Sequence, residues 1–220
     1  MRGRPPMSEG SSRLESLTGE VGLAFPEYEA PPPEPMGLVM EWIDQATARG
    51  VREPLALALA TADARGRVSN RIVAVIEVTG RGLLFTSHNT SRKGRDMAAT
   101  GWASGVLYWR ETGRQLVLSG PVEECPRAES DALWAGRPTP LHAMSAASRQ
   151  SDPLPDVAAL RGEAARLAAT GTPLPRPPRY VGYRLRPTAV EFWSADPDRL
   201  HRRLRYDRDA DGWHTARLQP

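Results

Sequence analysis

The segment from residue 55 to residue 123 constrains the fold most, because short apolar runs alternate there with turns that contain glycine. Runs of this kind, rich in valine, isoleucine and leucine and bounded by turn residues, are typical of β-strands. The pattern predicts strands over residues 55–61, 68–78, 83–87, 103–110 and 115–123, with a short helix over 91–99. Short strands at regular spacing indicate an antiparallel meander that curls into a barrel.

Helical patterns lie on both sides of this region. Apolar residues at helical spacing begin after Pro35 and stop at Gly50, and the same periodicity returns later in the chain. The predicted helices cover residues 36–49, 126–135 and 156–169, and further strands cover 180–186, 189–193, 204–206 and 213–218. We therefore expect a mainly β fold with flanking helices (α+β), in which residues 36–220 form a single domain.

Residues 1–35 differ from the rest of the chain in their proline clusters and their Gly-Ser-Ser segment. This composition predicts an N-terminal arm that is partly mobile. Leu17, Phe25 and Tyr28 are apolar enough to dock the arm elsewhere on the protein.

The charge distribution disfavours a nucleic-acid-binding surface. The isoelectric point is about 9.4, but the net charge is only +3 and Lys93 is the only lysine. The arginines are scattered among acidic residues, whereas non-specific nucleic-acid binding needs a concentrated basic face. A basic nucleic-acid-binding protein therefore remains a minor alternative, which a salt-sensitive shift of DNA mobility would support.

Cysteine content and hydropathy bear on the compartment. A single cysteine, Cys125, excludes an intramolecular disulfide, and we interpret it as structural because it precedes a proline with no histidine close in sequence. No apolar stretch approaches membrane-spanning length. We expect a cytoplasmic protein without membrane association.

The chain offers few residues for acid, base or nucleophilic chemistry. Its 4 histidines have no partners at metal-ligand spacing, so we predict no metal site. No dinucleotide fingerprint or Gly-x-Ser-x-Gly elbow is present. We assign no catalytic residue, and the shortage of candidates favours chemistry supplied by a cofactor.

Phosphate ligands are the exception to this shortage. Ser91, Arg92 and Lys93 stand where a predicted strand passes into a short helix, so backbone N–H groups, a hydroxyl and two cations can meet one anion there. Arg71 lies in the middle of a predicted strand, where a partly buried arginine needs a partner. These positions predict an anion site.

Linked motifs give the chain a family resemblance. They are Arg71-Ile-Val73, Thr86-Ser87, Ser91-Arg-Lys93, Arg114-Gln115, Arg149-Gln-Ser151, Glu191-Phe-Trp193 and Arg199-Leu-His-x-Arg203. In this order and spacing the chain resembles the pyridoxamine 5′-phosphate oxidase family from about residue 50 to the C-terminus. Residues 15–19, 25–28, 107–112 and 217–220 are similar to its phenazine-biosynthesis branch.

The resemblance implies a split β-barrel homodimer with FMN at the subunit interface. By position, the FMN phosphate and ribityl chain would meet Arg71, Arg92 and Lys93, helped by Ser87. Further FMN contacts, some from the second subunit, would come from Gln115, Gln150, Ser151, Trp193 and Arg203. The neighbouring motif residues Ile72, Val73 and Thr86 complete the implied FMN-binding set.

Departures from the family pattern concern the substrate. The family binds a substrate phosphate with a lysine, a tyrosine, an arginine and a serine, and the corresponding positions here are Ile76, Leu133, Arg137 and Leu141. Three of these are aliphatic, and a phosphate left without donors would be costly to bury. We expect a larger, more apolar substrate that is not a phosphate ester. The predicted substrate contacts are Arg199, His201, Arg137 and, from the arm, Tyr28.

The resemblance then implies an oxidase that dehydrogenates a partly reduced phenazine carboxylic acid toward the aromatic phenazine, with dioxygen reoxidising the flavin. An aromatising substrate gives up hydride readily, so a dedicated base is not required. A vitamin B6 oxidase, acting on pyridoxamine or pyridoxine 5′-phosphate, is one alternative. A non-enzymatic flavin-binding split barrel is another.

Overall fold

The computed structural model describes residues 19–220. The helices are α1 (Pro35–Ala48), α2 (Arg92–Thr100), α3 (Arg127–Ala135), α4 (His142–Ala147) and α5 (Val157–Ala168). The strands are β1 (Ala56–Ala62), β2 (Val68–Thr79), β3 (Gly82–His88), β4 (Trp102–Trp109), β5 (Arg114–Glu124), β6 (Tyr180–Leu185), β7 (Ala189–Ser194), β8 (Arg202–Asp209) and β9 (Gly212–Leu218). Short 3₁₀ turns lie at Pro26–Tyr28, Arg110–Thr112 and Thr139–Leu141.

The strands form one 9-stranded antiparallel sheet in the order β4-β1-β2-β3-β6-β5-β7-β8-β9. An additional pairing of β4 with β5 closes the first six of these strands into a barrel. Strands β7, β8 and β9 extend the sheet from β5. The mainly β fold with flanking helices and the split barrel are confirmed.

The strand order departs from a simple meander at one connection. β3 pairs with β6, and β4 pairs with β1, so the chain crosses from one edge to the other through α2. The expectation of a continuous meander is therefore wrong at this point. Because β6 occupies the free edge of β3, the hairpin of β4 and β5 has to close the barrel from the side of β1.

Alternation along β1 and β2 separates an inner from an outer face. On the inner face, Leu57 and Leu59 are completely buried and lie opposite Val73 and Arg71. On the outer face, Ile72 is 64% exposed. Large apolar side chains exposed on the outside of β2 and β4 are Val68, Ile72, Ile76, Trp102 and Tyr108. Exposed apolar side chains of this kind are typical of interaction surfaces.

The first described residues dock on the barrel. Phe25 is buried and packs edge-on against Trp42 of α1, with 4.9 Å between the ring centroids. The guanidinium of Arg114 lies 4.2 Å from the Trp42 ring centroid and donates to the carbonyl oxygen of Ala24 at 2.6 Å. The predicted docking of Phe25 is therefore observed, while Leu17 lies outside the described residues.

The connection between α3 and α5 contains structure that the sequence pattern did not indicate. Helix α4 is held by His142, whose ring stacks on Trp134 with 4.2 Å between centroids. His142 Nδ1 also accepts a hydrogen bond from the N–H of Leu174 at 3.2 Å.

Within residues 19–220, no helix is both long enough and apolar enough to cross a membrane.

Candidate functional site

The side chain of Lys93 lies at the centre of a polar cluster formed by β3, α2 and the loop after α4. Its ammonium donates to Ser87 Oγ at 3.0 Å, to Gln150 Oε1 at 3.2 Å and to Ser91 Oγ at 3.5 Å. All three acceptors are neutral, so none of them balances the charge of Lys93. We call the following set the cradle: Arg71, Ser87, Ser91, Arg92, Lys93, Gln150 and Ser151.

The N-terminus of α2 forms one wall of the cradle. Ser91 caps the helix by accepting a hydrogen bond from the N–H of Gly94 at 3.3 Å, and the N–H of Arg92 donates to Ser151 Oγ at 3.0 Å. The turn before the helix is tight, because a Cβ on Gly94 would lie 2.4 Å from the carbonyl oxygen of Asn89. Such a helix start favours negative charge.

Arg71 enters the cradle from the inner face of β2. Its Nη1 donates to the carbonyl oxygen of Leu59 at 3.0 Å and to Thr61 Oγ1 at 2.8 Å. Its Nη2 donates to Ser69 Oγ. The partner that a mid-strand arginine requires is therefore a carbonyl group and two hydroxyls, not a carboxylate in direct contact.

The cations of the cradle destabilise one another. Burial lowers the pKa of Lys93, and the positive charge of Arg71 lowers it further. Burial also lowers the pKa of Arg71, an effect that Asp96 opposes and Arg92 reinforces. A dianionic phosphate would relieve this repulsion and accept the available N–H groups. The residues present therefore fit the phosphate of FMN.

His88 holds the loop that closes the cradle. It is completely buried, and its Nδ1 accepts a hydrogen bond from the N–H of Gln150 at 3.4 Å. Burial, followed by the charges of Arg179 and Lys93, lowers the pKa of His88 to about 4. The ring is therefore neutral at pH 7. Ser151, which follows Gln150, has a φ of 73°, a backbone conformation that residues other than glycine rarely adopt.

A separate cleft of about 470 Å³ has a mostly apolar lining, with Glu77 and Glu129 as its acidic residues. Ile76 and Leu133 line it, and Tyr180 connects it to the cradle strand β3 by donating to Thr86 Oγ1 at 2.8 Å. Leu141 lies on the neighbouring 3₁₀ turn and is 48% exposed. Two of the three aliphatic positions at which the sequence departs from the family pattern, Ile76 and Leu133, therefore meet in this cleft.

Arg137 is the cation of this cleft. It donates to Tyr180 Oη and to Ser145 Oγ, each at 3.4 Å, and its guanidinium lies 5.6 Å from the Tyr180 ring centroid. Its buried Nε has no hydrogen-bond partner within residues 19–220. Long contacts to hydroxyls leave this guanidinium able to bind an anion.

A second set of predicted residues lies on the outer face of β5, β7 and β8. Trp193 is directly opposite Gln115 on one side and Arg203 on the other. The ring of His201 lies 4.8 Å from that of Trp193, centroid to centroid. We call the following residues the ring set: Gln115, Trp193, His201 and Arg203.

Two members of the ring set have fixed partners. Arg203 forms an ion pair with the buried carboxylate of Glu191 at 2.8 Å, so its charge is already balanced. His201 Nδ1 accepts a hydrogen bond from the N–H of Asp196 at 3.1 Å. Arg199 belongs to the same loop, where it adopts a φ of 70°. The structure therefore brings His201 to the vicinity of Trp193, and Arg199 lies two residues before it in the loop.

Tyr28 lies apart from both sets. Its ring packs against Phe25 with 5.8 Å between centroids, and the guanidinium of Arg217 lies 4.9 Å from its ring centroid. Ile72 and Val73 follow Arg71 on β2, but Val73 packs against the core and Ile72 faces outward. Their side chains therefore point away from one another.

The cradle and the ring set occupy opposite parts of one chain. In the closed barrel, β2 and β5 are separated by β1 and β4 in one direction and by β3 and β6 in the other. Gln150 and Ser151, in contrast, join the cradle of their own chain.

Within residues 19–220, no cluster of His, Cys, Asp or Glu side chains could hold a metal ion.

Two family models match the chain. One, described as pyridoxamine 5′-phosphate oxidase, matches residues 43–171. The other, described as the pyridoxine 5′-phosphate oxidase C-terminal dimerisation region, matches residues 180–220. The chain belongs to the pyridoxamine 5′-phosphate oxidase family, as its motifs predicted.

Individual relatives indicate which members of the family the chain is similar to. The chain is 57% identical to a dihydrophenazinedicarboxylate synthase of Burkholderia lata, over 96% of this chain and 99% of that one. It is 40% identical to a pyridoxine/pyridoxamine 5′-phosphate oxidase of Paraburkholderia phymatum, over 95% and 100% of the two chains. The crystal structure of PhzG from Burkholderia lata 383 in complex with tetrahydrophenazine-1-carboxylic acid matches with a TM-score of 0.90 at 56% identity, over 92% of this chain and 100% of that one.

Sequence reasoning missed several residues of the site. Thr61, Ser69 and Asp96 support Arg71, and Tyr180 of the cleft bonds to Thr86 on β3. One signal was available, because the β1–β2 hairpin register places Thr61 directly opposite Ser69, two residues from Arg71 on the same face. Tyr180 lies 94 residues from its partner Thr86, and no local pattern relates them.

Proposed function

We propose that the protein is an FMN-dependent oxidase that dehydrogenates a partly reduced phenazine carboxylic acid toward the aromatic phenazine, with dioxygen as the electron acceptor. The observation that carries the proposal is the presence, in one chain, of a phosphate-fitting cradle and a mostly apolar cleft that contains one poorly partnered cation and is linked to β3 through Tyr180. Lys93 marks the cradle and Arg137 marks the cleft. Similarity to the dihydrophenazinedicarboxylate synthase of Burkholderia lata supports it.

The cradle would hold the FMN phosphate and ribityl chain through Arg71, Arg92 and Lys93, with Ser87 as a hydroxyl donor. When bound, FMN supplies an acceptor for a hydride or its equivalent. The task of the chain is to bind, to orient the substrate and to exclude water. Its neutral His88 keeps the loop of Gln150 in place at neutral pH.

The ring set would meet the flavin from a second copy of the chain. Within one chain the ring set and the cradle lie on opposite strands of the barrel. The outer face between them exposes large apolar side chains, among them Ile72 and Tyr108. The chain also carries the region that its family uses for dimerisation. A homodimer would cover the exposed face and complete the site.

The cleft would select the substrate. Ile76 and Leu133 offer apolar surface to a flat, reduced ring system. Arg137 would bind the carboxylate of such a ring, because its guanidinium contacts only hydroxyls and an aromatic face in the described chain. A phosphate would find a single cation there, which is fewer donors than a dianion requires when it is buried.

The first experiment is the visible absorption spectrum of the purified protein, followed by release and identification of any chromophore. A yellow protein that yields FMN, about one per chain, supports the assignment of the cradle. A colourless protein that fails to take up added FMN would overturn it.

The second experiment compares substrates. The FMN-loaded protein is expected to consume dioxygen with a partly reduced phenazine carboxylic acid and to turn over pyridoxine 5′-phosphate poorly. The competing function, a vitamin B6 oxidase, draws on the 40% identity to such an enzyme and on the arginine at position 137. Efficient turnover of pyridoxine 5′-phosphate would establish that alternative.

A further inference from the structure

Asp96 lies behind Arg71 without contacting it directly. It is on α2 and is 5% exposed, and its carboxylate accepts hydrogen bonds through a single oxygen, Oδ2. Thr61 Oγ1 donates to this oxygen at 2.7 Å, and Ser69 Oγ donates to it at 3.1 Å. The carboxylate therefore fixes the protons of two hydroxyl groups.

Those two hydroxyl groups are the ones that accept from Arg71. Nη1 of Arg71 donates to Thr61 Oγ1 at 2.8 Å, and Nη2 donates to Ser69 Oγ. A hydroxyl has one proton, and here each is given to Asp96, so both oxygens must present lone pairs to the guanidinium. Asp96 thereby sets the direction in which Thr61 and Ser69 can bond.

This arrangement leaves one edge of Arg71 available. Nη1 uses its two N–H groups on Leu59 and Thr61, and Nη2 uses one on Ser69. Within the described chain, the N–H of Nε and the second N–H of Nη2 take no part in these bonds. In a guanidinium, the N–H of Nε and the neighbouring N–H of Nη2 point to one edge, the geometry that binds two oxygens of a phosphate.

A carboxylate in direct contact with Arg71 would occupy that edge and neutralise the cation. Separation by two hydroxyls keeps the negative charge of Asp96 behind the guanidinium, where it still raises the pKa of Arg71 against the effect of burial. Asp96 also lies one helical turn after Arg92 and Lys93 on α2. The same helix therefore delivers two cations to the cradle and orients the third.

We propose that Asp96 is a positioning residue that, through Thr61 and Ser69, aims the free edge of Arg71 at the phosphate of the bound flavin. The inference rests on the proposed FMN site and extends it to three residues that contact no ligand themselves. It makes phosphate recognition, and not flavin binding in general, dependent on Asp96.

The test compares FMN with riboflavin, which lacks only the phosphate. Dissociation constants are measured by quenching of flavin fluorescence for wild type, Asp96→Ala, Asp96→Asn and the exposed control Asp44→Ala. Asp96→Ala is expected to weaken FMN binding about tenfold and to leave riboflavin binding unchanged. Asp96→Asn keeps an oxygen that can accept both hydroxyl protons, so it is expected to restore most of the loss. Asp44→Ala is expected to match wild type.

A second pair of variants covers the case in which Asp96→Ala does not fold. Thr61→Ser retains the hydroxyl and is expected to keep the preference for FMN over riboflavin, whereas Thr61→Val is expected to reduce it several-fold. Equal losses for the two flavins, or no change in either, would show that the network only supports the fold and would overturn the inference. If wild type itself has no preference for FMN, the proposed FMN site fails and this inference fails with it.

Discussion

The ammonium of Lys93 donates to the side-chain oxygen of Gln150 at 3.2 Å, which ties the start of α2 to a loop 57 residues further along the chain. Both residues also contact Ser87 Oγ. The cradle is thus assembled from segments that are distant in sequence, and its central cation donates only to neutral acceptors.

Lys93→Met is expected to weaken FMN binding by about 10- to 100-fold, because a charge-assisted hydrogen bond to the phosphate is lost. Riboflavin binding should change little. Arg95→Met is the matched control, since Arg95 is an exposed cation on the same helix. Fluorescence titration with both flavins measures the difference, and an equal loss in the two variants would contradict a specific role for Lys93.

Gly94→Ala and Gly162→Ala are expected to have opposite effects on stability. Alanine normally favours a helix over glycine by about 1 kcal/mol. A Cβ at residue 94 would lie 2.4 Å from the Asn89 carbonyl oxygen, whereas a Cβ at residue 162 in α5 would meet nothing within 4 Å. Urea unfolding should show a loss of about 2 kcal/mol for Gly94→Ala and a gain of about 0.5–1 kcal/mol for Gly162→Ala. Equal gains in the free energy of unfolding for the two variants would contradict the close contact between residue 94 and the Asn89 carbonyl oxygen.

His88 is expected to make the fold sensitive to acid. Its pKa falls from 6.5 in the unfolded chain to about 4 in the folded one, so the unfolded state binds the extra proton between these values. Its contribution is therefore complete above about pH 6.5 and declines as the pH falls toward 4, by up to about 3 kcal/mol. Unfolding free energies of His88→Gln, measured over this range, should depend less on pH than those of wild type. Parallel curves would show that His88 does not titrate in this way.

Arg137→Leu is expected to raise KM for a carboxylated reduced phenazine by about tenfold or more, because the paired cation is lost. An analogue without the carboxylate should be affected much less. Arg161→Leu, a charge change at an exposed position on α5, serves as the control. Steady-state rates of oxygen consumption with both substrates provide the measurement. A similar rise in KM for both substrates would show that Arg137 maintains the shape of the cleft and does not bind the carboxylate.

Ile72→Asp is expected to dissociate the proposed dimer, since a charge would enter an apolar interface. Val157→Asp is the control, because Val157 is also an exposed apolar residue, 49% exposed, but lies on α5. Sedimentation velocity should give a monomer for the first variant and a dimer for the second. A dimeric Ile72→Asp protein would mean that another surface joins the subunits.

The strands could be predicted because their alternating residues enter one core. Leu57 and Leu59 are buried as the pattern around them indicates, and the predicted bounds of β1 differ by a residue from those observed. The route from β3 to β4 could not be predicted, because a local pattern does not say which strand edge will be taken. Pairing of β3 with β6 joins residues about 100 positions apart in the chain, such as Leu83 and Leu185.

Arg71 could be singled out because a mid-strand arginine needs a partner, and the structure supplies one. Lys93 could be singled out by its place at a helix start, and its role toward a phosphate stays a prediction. Their supports were not predicted, since Asp96 reaches Arg71 only through two hydroxyl groups. Placement of the ring set against a flavin stays a prediction, as does the role of Tyr28, whose observed contacts are Phe25 and Arg217.

The placement of β2 and β5 on opposite sides of the barrel has a further consequence for the proposed enzyme. If each active centre needs the cradle of one chain and the ring set of another, dilution that dissociates the dimer would abolish activity. Two inactive variants, one altered at Lys93 and one at Trp193, would then restore a working centre when mixed, because each supplies the half that the other lacks.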